Sequence, residues 1–456
     1  MIQIFKKLPI DNVKKRSNVV KHLGAFDLTL VGLGAMVGSA IFSLTGVIAA
    51  AYCGPSVAIC YVIAGLCSVL IAFPYAEVTS TFPTSGSIYS YAGAVVGDIG
   101  AWLALSILMM ELASGAALAS SCMATYCVTL FRDFGFIIPQ KFLMTPLEGG
   151  IINVPSIIVT CILGGVSCMG SKGSKGMSNF FVYLKFFIIV AFVILIVPYF
   201  KVSNVKEFIP FGFDSALIGS AILFGAFAGF SVIPTMADEC HNPSRDVVIG
   251  MLSSILITAL IYFIVSFFIV GAVHYTNLGF PDISLKVMDA CGYSALSQMV
   301  GAVIVFSISS VVIVLLNSKS KVFAVVSRDG MLPKWFSIVD KRGTPIFGLL
   351  FCIVLVSLIG GLTPYNQIAK VTSIGTSGEY LVMMVLACAL RVKFSNVKRS
   401  FVCPALYVLS TTASMILLYM IVKQLLESLV VAKFVFGWIT VWLGVYFAYL
   451  FSFRKV

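Results

Sequence analysis

The chain has 456 residues, of which 60% are hydrophobic and 11% are charged, and its formal net charge is +12 at pH 7. A mean hydropathy of +1.06 excludes a water-soluble domain with a polar surface, so the composition indicates a protein that resides in lipid. The positive charge does not indicate nucleic-acid binding, because the basic residues lie in short loops between apolar runs.

Residues 1–24 are basic and contain neither an apolar core nor a small-residue cleavage site. They are therefore predicted to be a cytoplasmic tail and not a secretory signal. Apolar runs of roughly 20 residues, enough to cross about 30 Å of hydrocarbon, then recur almost to the C-terminus. The sequence predicts twelve spans, at residues 25–50, 55–73, 98–131, 154–169, 178–200, 216–234, 247–274, 294–326, 345–362, 368–390, 402–421 and 429–453.

The distribution of Lys and Arg predicts the orientation of these spans. Basic residues are concentrated in the N-terminal tail and in the loops after spans 4, 8 and 10. Since such an excess marks the cytoplasmic side, both termini are predicted to be cytoplasmic, in an inner membrane. The loop 79–97 has no Lys or Arg and is predicted to fold back.

Two spans carry residues that weaken a helix. Span 1 has three glycines and a serine within residues 31–42, and span 6 has two glycines within residues 224–231, followed by Pro234. Each glycine costs helix stability, about 1 kcal/mol relative to alanine. Matching interruptions in two halves of a membrane protein point to an inverted-repeat transporter. The alternative is that the glycines form a tight packing face for a neighbouring helix.

Interrupted helices suit a polar ligand. Backbone groups without intrahelical partners cannot be satisfied by hydrocarbon. The N-terminus of a half-helix favours a carboxylate, and freed carbonyl groups favour an ammonium group, so the two interruptions together favour a zwitterion. A nucleotide-binding loop is excluded because no strand precedes the glycines.

Several motifs resemble the amino acid–polyamine–organocation (APC) superfamily, most closely bacterial relatives of the cationic amino-acid transporters. They lie at residues 34–46, at 73–77 leading to 82–86, at 239–246, and at 327–333 with 343–345. The resemblance implies an all-α LeuT-type fold: five-span inverted repeats at 25–210 and 211–395, and two further spans at 396–456.

The resemblance also implies where a substrate binds. Backbone in span 1 would hold its carboxylate, and carbonyl groups in span 6 would meet its amine, beside an aromatic residue. The corresponding residues are Gly38, Ser39, Ala40, Ile41, Phe224, Gly225, Ala226 and Ala228. The chain has Ala40 where relatives usually have glycine and Gly225 where they commonly have an aromatic residue, which leaves the size of the substrate open.

Lys185 is predicted to carry a coupled proton. It lies about 12 Å into span 5, where burial disfavours a charged side chain. The resemblance agrees, because in proton-coupled members the matching lysine substitutes for a sodium ion. Ser309 or Ser310 on span 8 is expected to accept a hydrogen bond from the ammonium group. The alternative is a fixed structural cation bonded to backbone carbonyl groups.

Glu111 is an acid deep within span 3, so it is expected to be protonated or paired. Three roles stay open: binding a cationic substrate side chain, joining Lys185 in proton coupling, or bonding to a neighbouring helix. The acids Glu77, Asp98 and Glu379 are predicted to lie near helix ends, with interfacial roles.

The predicted function is secondary active transport of an amino acid, coupled to protons. The main alternative is exchange of amino acids or polyamines without a proton. A membrane-embedded enzyme is disfavoured because the 3 histidines are scattered, and a channel because the spans carry isolated charges and not a polar pore lining. No cofactor, metal or disulfide-linked accessory subunit is expected; the loop between spans 3 and 4 has no cysteine.

Overall fold

The computed structural model describes residues 23–38, 40–82, 87–133, 135, 138–168, 174–340, 344–397, 399 and 401–453. Within these ranges the ordered elements are helices, and no β-strand occurs; an isolated parallel bridge pairs Leu23 with Cys240. The prediction of an all-α protein is confirmed for this part of the chain.

Helices occupy the twelve predicted positions, and the span numbers are kept for them. Spans 1 and 6 each combine helical types: Ala25–Met36, Ala40–Leu44, Thr45–Ile48 and Ala49–Cys53 in span 1, and Phe213–Phe224 with Gly225–Glu239 in span 6. The other spans are, in chain order, Val57–Thr81, Asp98–Asp133, Val154–Cys168, Ser174–Ile196, Pro243–Ala272, Ser294–Arg328, Ile346–Leu362, Tyr365–Lys393, Leu406–Glu427 and Leu429–Phe453.

The lengths and compositions of these helices agree with a multi-pass membrane protein. Among the described residues, 8 segments are long and apolar enough to cross a membrane, and the first of them, Ala25–Thr81, covers spans 1 and 2. Shorter apolar helices, Val154–Cys168, Tyr183–Tyr199 and Ile346–Leu362, lie at spans 4, 5 and 9. The number of spans that cross the membrane, and the 5+5 arrangement, stay predictions.

Two further α-helices connect the spans. Ser87–Val95 packs against span 3 in the predicted fold-back loop, and Ile283–Ala290 packs against span 8. Short 3-10 helices complete the connections, at Gly54–Ser56, Gln140–Phe142, Pro146–Glu148, Val197–Tyr199, Val202–Val205, Tyr275–Asn277 and Lys334–Ser337.

Span 2 is longer than predicted. It continues past Pro74 to Thr81, eight residues beyond the expected end. The polar residues of this last part bond to their own helix: Thr79 Oγ1 donates to Tyr75 O at 3.0 Å and Thr81 Oγ1 to Glu77 O at 2.7 Å. The helix therefore accommodates a run that resembled a loop by composition.

Span 3 lies at the centre of the bundle. In its most apolar window 83% of the residues are buried within the protein, against 17% in span 12. Spans 11 and 12 pack mainly on spans 2, 3, 6 and 10. The packed pairs among spans 1 to 10 include 1–5, 1–6, 1–7, 2–6, 2–7, 2–10, 3–4, 3–8, 3–9, 3–10, 4–8, 4–9, 5–7, 5–8, 6–10 and 8–9.

Candidate functional site

Span 1 is interrupted between Met36 and Ala40. Its first α-helix ends with Val37 in an extended conformation (φ −75°, ψ 92°), where Val37 N donates to Leu33 O at 2.9 Å. A π-helix begins at Ala40, and Ser39 lies outside the described residues. Because an α-helix leaves its last carbonyl groups without intrahelical partners, this break exposes acceptors inside the bundle.

Span 6 also leaves α-helical geometry at its glycines. The α-helix Phe213–Phe224 passes directly into the 3-10 helix Gly225–Glu239. Runs of 3-10 helix longer than a few residues are uncommon, and within a span they often mark a functional hinge.

The two interrupted segments touch through their backbones. A side-chain carbon added at Gly229 would lie 2.7 Å from the carbonyl carbon of Ala35 and 2.7 Å from the nitrogen of Met36. At Gly225 it would lie 3.2 Å from Cα of Ser373 on span 10. Glycine therefore permits the close approach of the two segments. The tight packing that the sequence offered as an alternative thus occurs together with the interruptions of the helices.

Polar side chains from neighbouring spans bind the carbonyl groups freed in span 1. Lys185 Nζ donates to Gly34 O at 2.9 Å, and Tyr262 OH on span 7 donates to Met36 O at 2.6 Å. Tyr262 OH is also 3.4 Å from Ala226 O, its second acceptor. This tyrosine therefore joins the interrupted segments of spans 1 and 6.

Buried tyrosines hold other carbonyl groups of these segments, a feature that the sequence analysis missed. The bonds run from Tyr126 to Phe42 O at 2.6 Å, from Tyr380 to Ala228 O at 3.1 Å and from Tyr61 to Ala40 O at 3.4 Å. A tyrosine in the middle of an apolar span is a usable signal, since a buried hydroxyl group needs a partner.

A cavity of about 80 Å³ lies between the interrupted segments and is also lined by spans 3, 8 and 10. Most of the lining consists of glycine, alanine and aliphatic side chains, with Ser231 and Thr372 as hydroxyl groups. Among the described lining residues, Glu111 is the one ionisable side chain. At about 10–15 Å³ per water on this measure, the cavity has room for several waters or one small solute.

The structure brings five of the eight predicted substrate-binding residues to this cavity: Gly38, Ala40, Gly225, Ala226 and Ala228. Ile41 and Phe224 are fully buried and do not line it. The Phe224 ring instead packs edge-on against Tyr380, with ring centroids 5.8 Å apart.

Lys185 does not line the cavity either. Its ammonium group reaches the cavity wall indirectly, through the carbonyl group of Gly34 beside lining residue Ala35. Ser309 Oγ donates to Phe306 O at 2.6 Å and Ser310 Oγ to Ser307 O at 2.8 Å. These hydrogen bonds join Lys185 to span 1 and join each of the two serines to the backbone of span 8.

Two buried ionisable residues near Glu111 were not recognised from the sequence. Glu379 was expected near a helix end, but it lies in the middle of span 10 and is completely buried. Lys319 received no role, yet it is completely buried on span 8. Short apolar runs on both sides of these residues were the available signal, because a charged residue there must face the interior of the bundle.

Glu77, on span 2, anchors an ion-pair network. Its carboxylate accepts from Arg391 Nε at 2.9 Å and from Cys403 N at 2.7 Å, and a second bond comes from Arg391 Nη2. Arg399 Nε lies 3.1 Å from the same carboxylate. The network ties span 2 to span 10 and to the segment before span 11.

We expect Glu77→Gln to lower the free energy of unfolding by about 3 kcal/mol, because it leaves two largely buried arginines without their anion. The measurement is thermal unfolding of the purified protein in detergent. Lys286→Gln is the control, since Lys286 Nζ is 3.8 Å from Asp282 Oδ1 and its side chain is 38% exposed. Equal midpoints for wild type and Glu77→Gln would contradict a stabilising role for the network.

Comparisons with known proteins show the family of this chain. The amino acid permease family model matches residues 23–447. The methylthioribose transporter of Bacillus subtilis (strain 168) is 29% identical over 455 residues, covering 98% of both chains. The branched-chain amino acid permease BcaP of the same organism is 29% identical over 457 residues, covering 98% of this chain and 97% of that relative.

A plant relative is similar over less of its length. Cationic amino acid transporter 1 of Arabidopsis thaliana is 29% identical over 395 residues, which cover 84% of this chain and 65% of that protein. The family match over nearly the whole chain, together with the membrane helices, establishes the family. The chain belongs to the amino acid permease family of the APC superfamily.

Proposed function

We propose that this permease is a secondary active transporter that carries an amino acid together with a proton by alternating access. The observation that carries the proposal is the cavity between the interrupted segments of spans 1 and 6, because it places freed backbone groups of both spans around one small space. The relatives named as amino acid transporters support this substrate class.

The packing of the spans supports the 5+5 inverted repeat. The two halves can be exchanged, so that spans 1–5 take the numbers 6–10 and spans 6–10 take the numbers 1–5. Most of the packed pairs then map onto one another: 1–7 onto 2–6, 3–4 onto 8–9, 3–9 onto 4–8, 3–10 onto 5–8, 2–10 onto 5–7 and 1–5 onto 6–10. Pairs 1–6, 2–7, 3–8 and 4–9 map onto themselves. Such a pattern is what a pseudo-twofold axis relating two halves produces.

In this proposal the substrate carboxylate binds at the start of the second half of span 1. The residues concerned are Gly38, Ser39, Ala40 and Ile41, at an N-terminus whose partial positive charge favours an anion. The ammonium group binds near Gly225 and Ala226. Ala228 is the weaker candidate there, since its carbonyl oxygen already accepts from Tyr380 at 3.1 Å and from Ser231 at 2.9 Å.

Lys185 supports proton coupling over exchange without a proton. Its side chain is completely buried, and among the described side chains it forms no ion pair. Its bond to Gly34 O lies at the end of the first half of span 1, where the partial negative charge of the helix terminus favours an ammonium group. Gain and loss of that proton would change the packing of span 5 on span 1.

The test is uptake by the purified protein in liposomes, after a thermal-shift screen of amino acids and polyamines. We expect saturable uptake of an amino acid against its gradient, driven by an inward proton gradient, stopped by a protonophore and independent of sodium. Uptake that requires amino acid inside the liposome would show exchange, and non-saturable flux would show a channel. Chemical conversion of the solute would show an enzyme.

A further inference from the structure

Three buried ionisable side chains meet beside the cavity: Glu111 on span 3, Lys319 on span 8 and Glu379 on span 10, here called the Glu–Lys–Glu cluster. Their relative exposures are 3%, 0% and 0%. Glu111 lines the cavity, and the other two do not. Lys319 and Glu379 are therefore placed to set the charge that Glu111 presents to a substrate.

A glycine brings the two acids together. A side-chain carbon at Gly375 would lie 2.8 Å from both Cα and N of Glu111, so spans 3 and 10 are in backbone contact there. Glu379 lies one helical turn beyond Gly375 on the same face of span 10. The side chains of Glu111 and Glu379 consequently lie close enough for their charges to interact.

Lys319 joins this pair from span 8. Gly115 faces Leu315 and Thr372, each with a side-chain carbon 3.7 Å from the position of an added Cβ. One turn along this seam, towards the start of span 3 and the end of span 8, lie Glu111 and Lys319. Lys319 thus lies close enough to Glu111 for their charges to interact across the seam.

The hydrogen bonds of the cluster limit its charge. Among the described residues no donor reaches Oε2 of Glu111 or Oε2 of Glu379, and no acceptor reaches Lys319 Nζ; Tyr75 OH donates to Glu379 Oε1 at 3.3 Å. Two neighbouring carboxyl groups away from water do not both ionise, and a buried charge is stable only beside an opposite charge. The cluster therefore favours states without net charge: one carboxylate with the Lys319 ammonium group, or all three groups uncharged.

We propose that this neutral cluster makes the permease selective for neutral, aliphatic amino acids, with Lys319 as the residue that excludes cationic ones. Glu111 then offers no net negative charge to a cationic side chain, and the rest of the lining offers glycine, alanine and aliphatic surface. This inference rests on the proposed function, because it assumes an amino-acid substrate in the cavity. It specifies whether the substrate is neutral or cationic. The relatives do not agree on this point, because one is named a branched-chain amino acid permease and another a cationic amino acid transporter.

The test compares wild type, Lys319→Met and Lys321→Met in competition binding with leucine, valine, arginine and lysine, followed by uptake. Lys321 is the matched control, because it is exposed on the same helix two residues away. We expect the wild type and Lys321→Met to prefer the neutral amino acids. Lys319→Met should gain affinity for arginine or lysine by about tenfold or more, because it removes the compensating positive charge. The gain should be lost again in Lys319→Met combined with Glu111→Gln.

Failure of the inference and failure of the proposed function give different results. Wild-type transport of arginine in preference to leucine, or a Lys319→Met variant that binds leucine but gains no cationic ligand, would overturn the inference alone. A wild type that binds no amino acid would overturn the proposed function. If Lys319→Met does not insert, Lys319→Gln supplies the same loss of charge. A Lys319→Gln variant that binds leucine but gains no cationic ligand would overturn the inference in the same way.

Discussion

Replacing Gly38 by Leu is expected to abolish substrate binding while the protein still inserts and folds. Gly38 lines the cavity, and a side-chain carbon there would already lie 3.0 Å from Cγ2 of Val311. Gly38 and Val311 both line the cavity, so the remaining carbons of a leucine side chain are expected to enter its volume of about 80 Å³. They would also separate a carboxylate from the backbone N–H groups that start the second half of span 1.

The measurement is ligand-induced thermal stabilisation, and we expect a loss of affinity of about 100-fold or more, equivalent to about 3 kcal/mol. Gly444→Leu is the matched control: it introduces the same side chain in span 12, where an added carbon meets nothing within 4 Å. The control should bind as the wild type does. Wild-type affinity in Gly38→Leu would remove span 1 from the substrate site.

The positions of the spans could be predicted because hydrocarbon imposes a long apolar run on every membrane helix. The interruptions could be predicted for a related reason. Glycines weaken a helix, and inside a membrane water cannot bind the backbone groups that are freed. Other parts of the protein must therefore pack against the weakened segment, as Gly229 packs against Ala35. Both are local properties of the chain, so a single sequence carries them.

The partners of buried polar groups could not be predicted, because they depend on which spans touch. Nothing near Tyr262 in the sequence indicates that its hydroxyl group meets Met36 O, 226 residues away. Likewise, the apolar runs around Lys319 and Glu379 mark both as interior charges, but they do not indicate that these charges lie beside Glu111. The contact of Gly375 with the backbone of Glu111 brings Glu379 there. The extension of span 2 past Pro74 was missed because its polar hydroxyl groups bond within the helix.

Lys185→Met is expected to abolish proton-driven accumulation while leaving part of substrate binding intact. Methionine keeps an apolar stem of similar length but removes the ammonium group, so Gly34 O loses its donor at 2.9 Å. The proposed contacts to the substrate come from spans 1 and 6, so binding does not require Lys185 itself. Proton coupling is proposed to require Lys185, because a buried lysine can gain or lose its charge by binding or releasing a proton.

The direction of the pH effect follows from that burial. In the proposed mechanism, external acid favours the protonated side chain and its bond to Gly34 O, which holds span 5 against span 1. Loss of the proton on the opposite side would then weaken the bond and favour return of the carrier. Uptake by the wild type should therefore rise as external pH falls at constant internal pH, and Lys185→Met should show no such rise.

The assay is uptake into liposomes with an inward proton gradient, repeated with a protonophore and in sodium-free buffer. Lys185→Arg separates charge from proton exchange: arginine keeps a positive charge but does not release its proton, so this variant should also fail to accumulate substrate. Full gradient-driven accumulation by Lys185→Met would refute the role of the lysine. A sodium requirement in the wild type would assign the coupling to the ion, because sodium would then supply the positive charge that Lys185 is proposed to bring to the end of the first half of span 1.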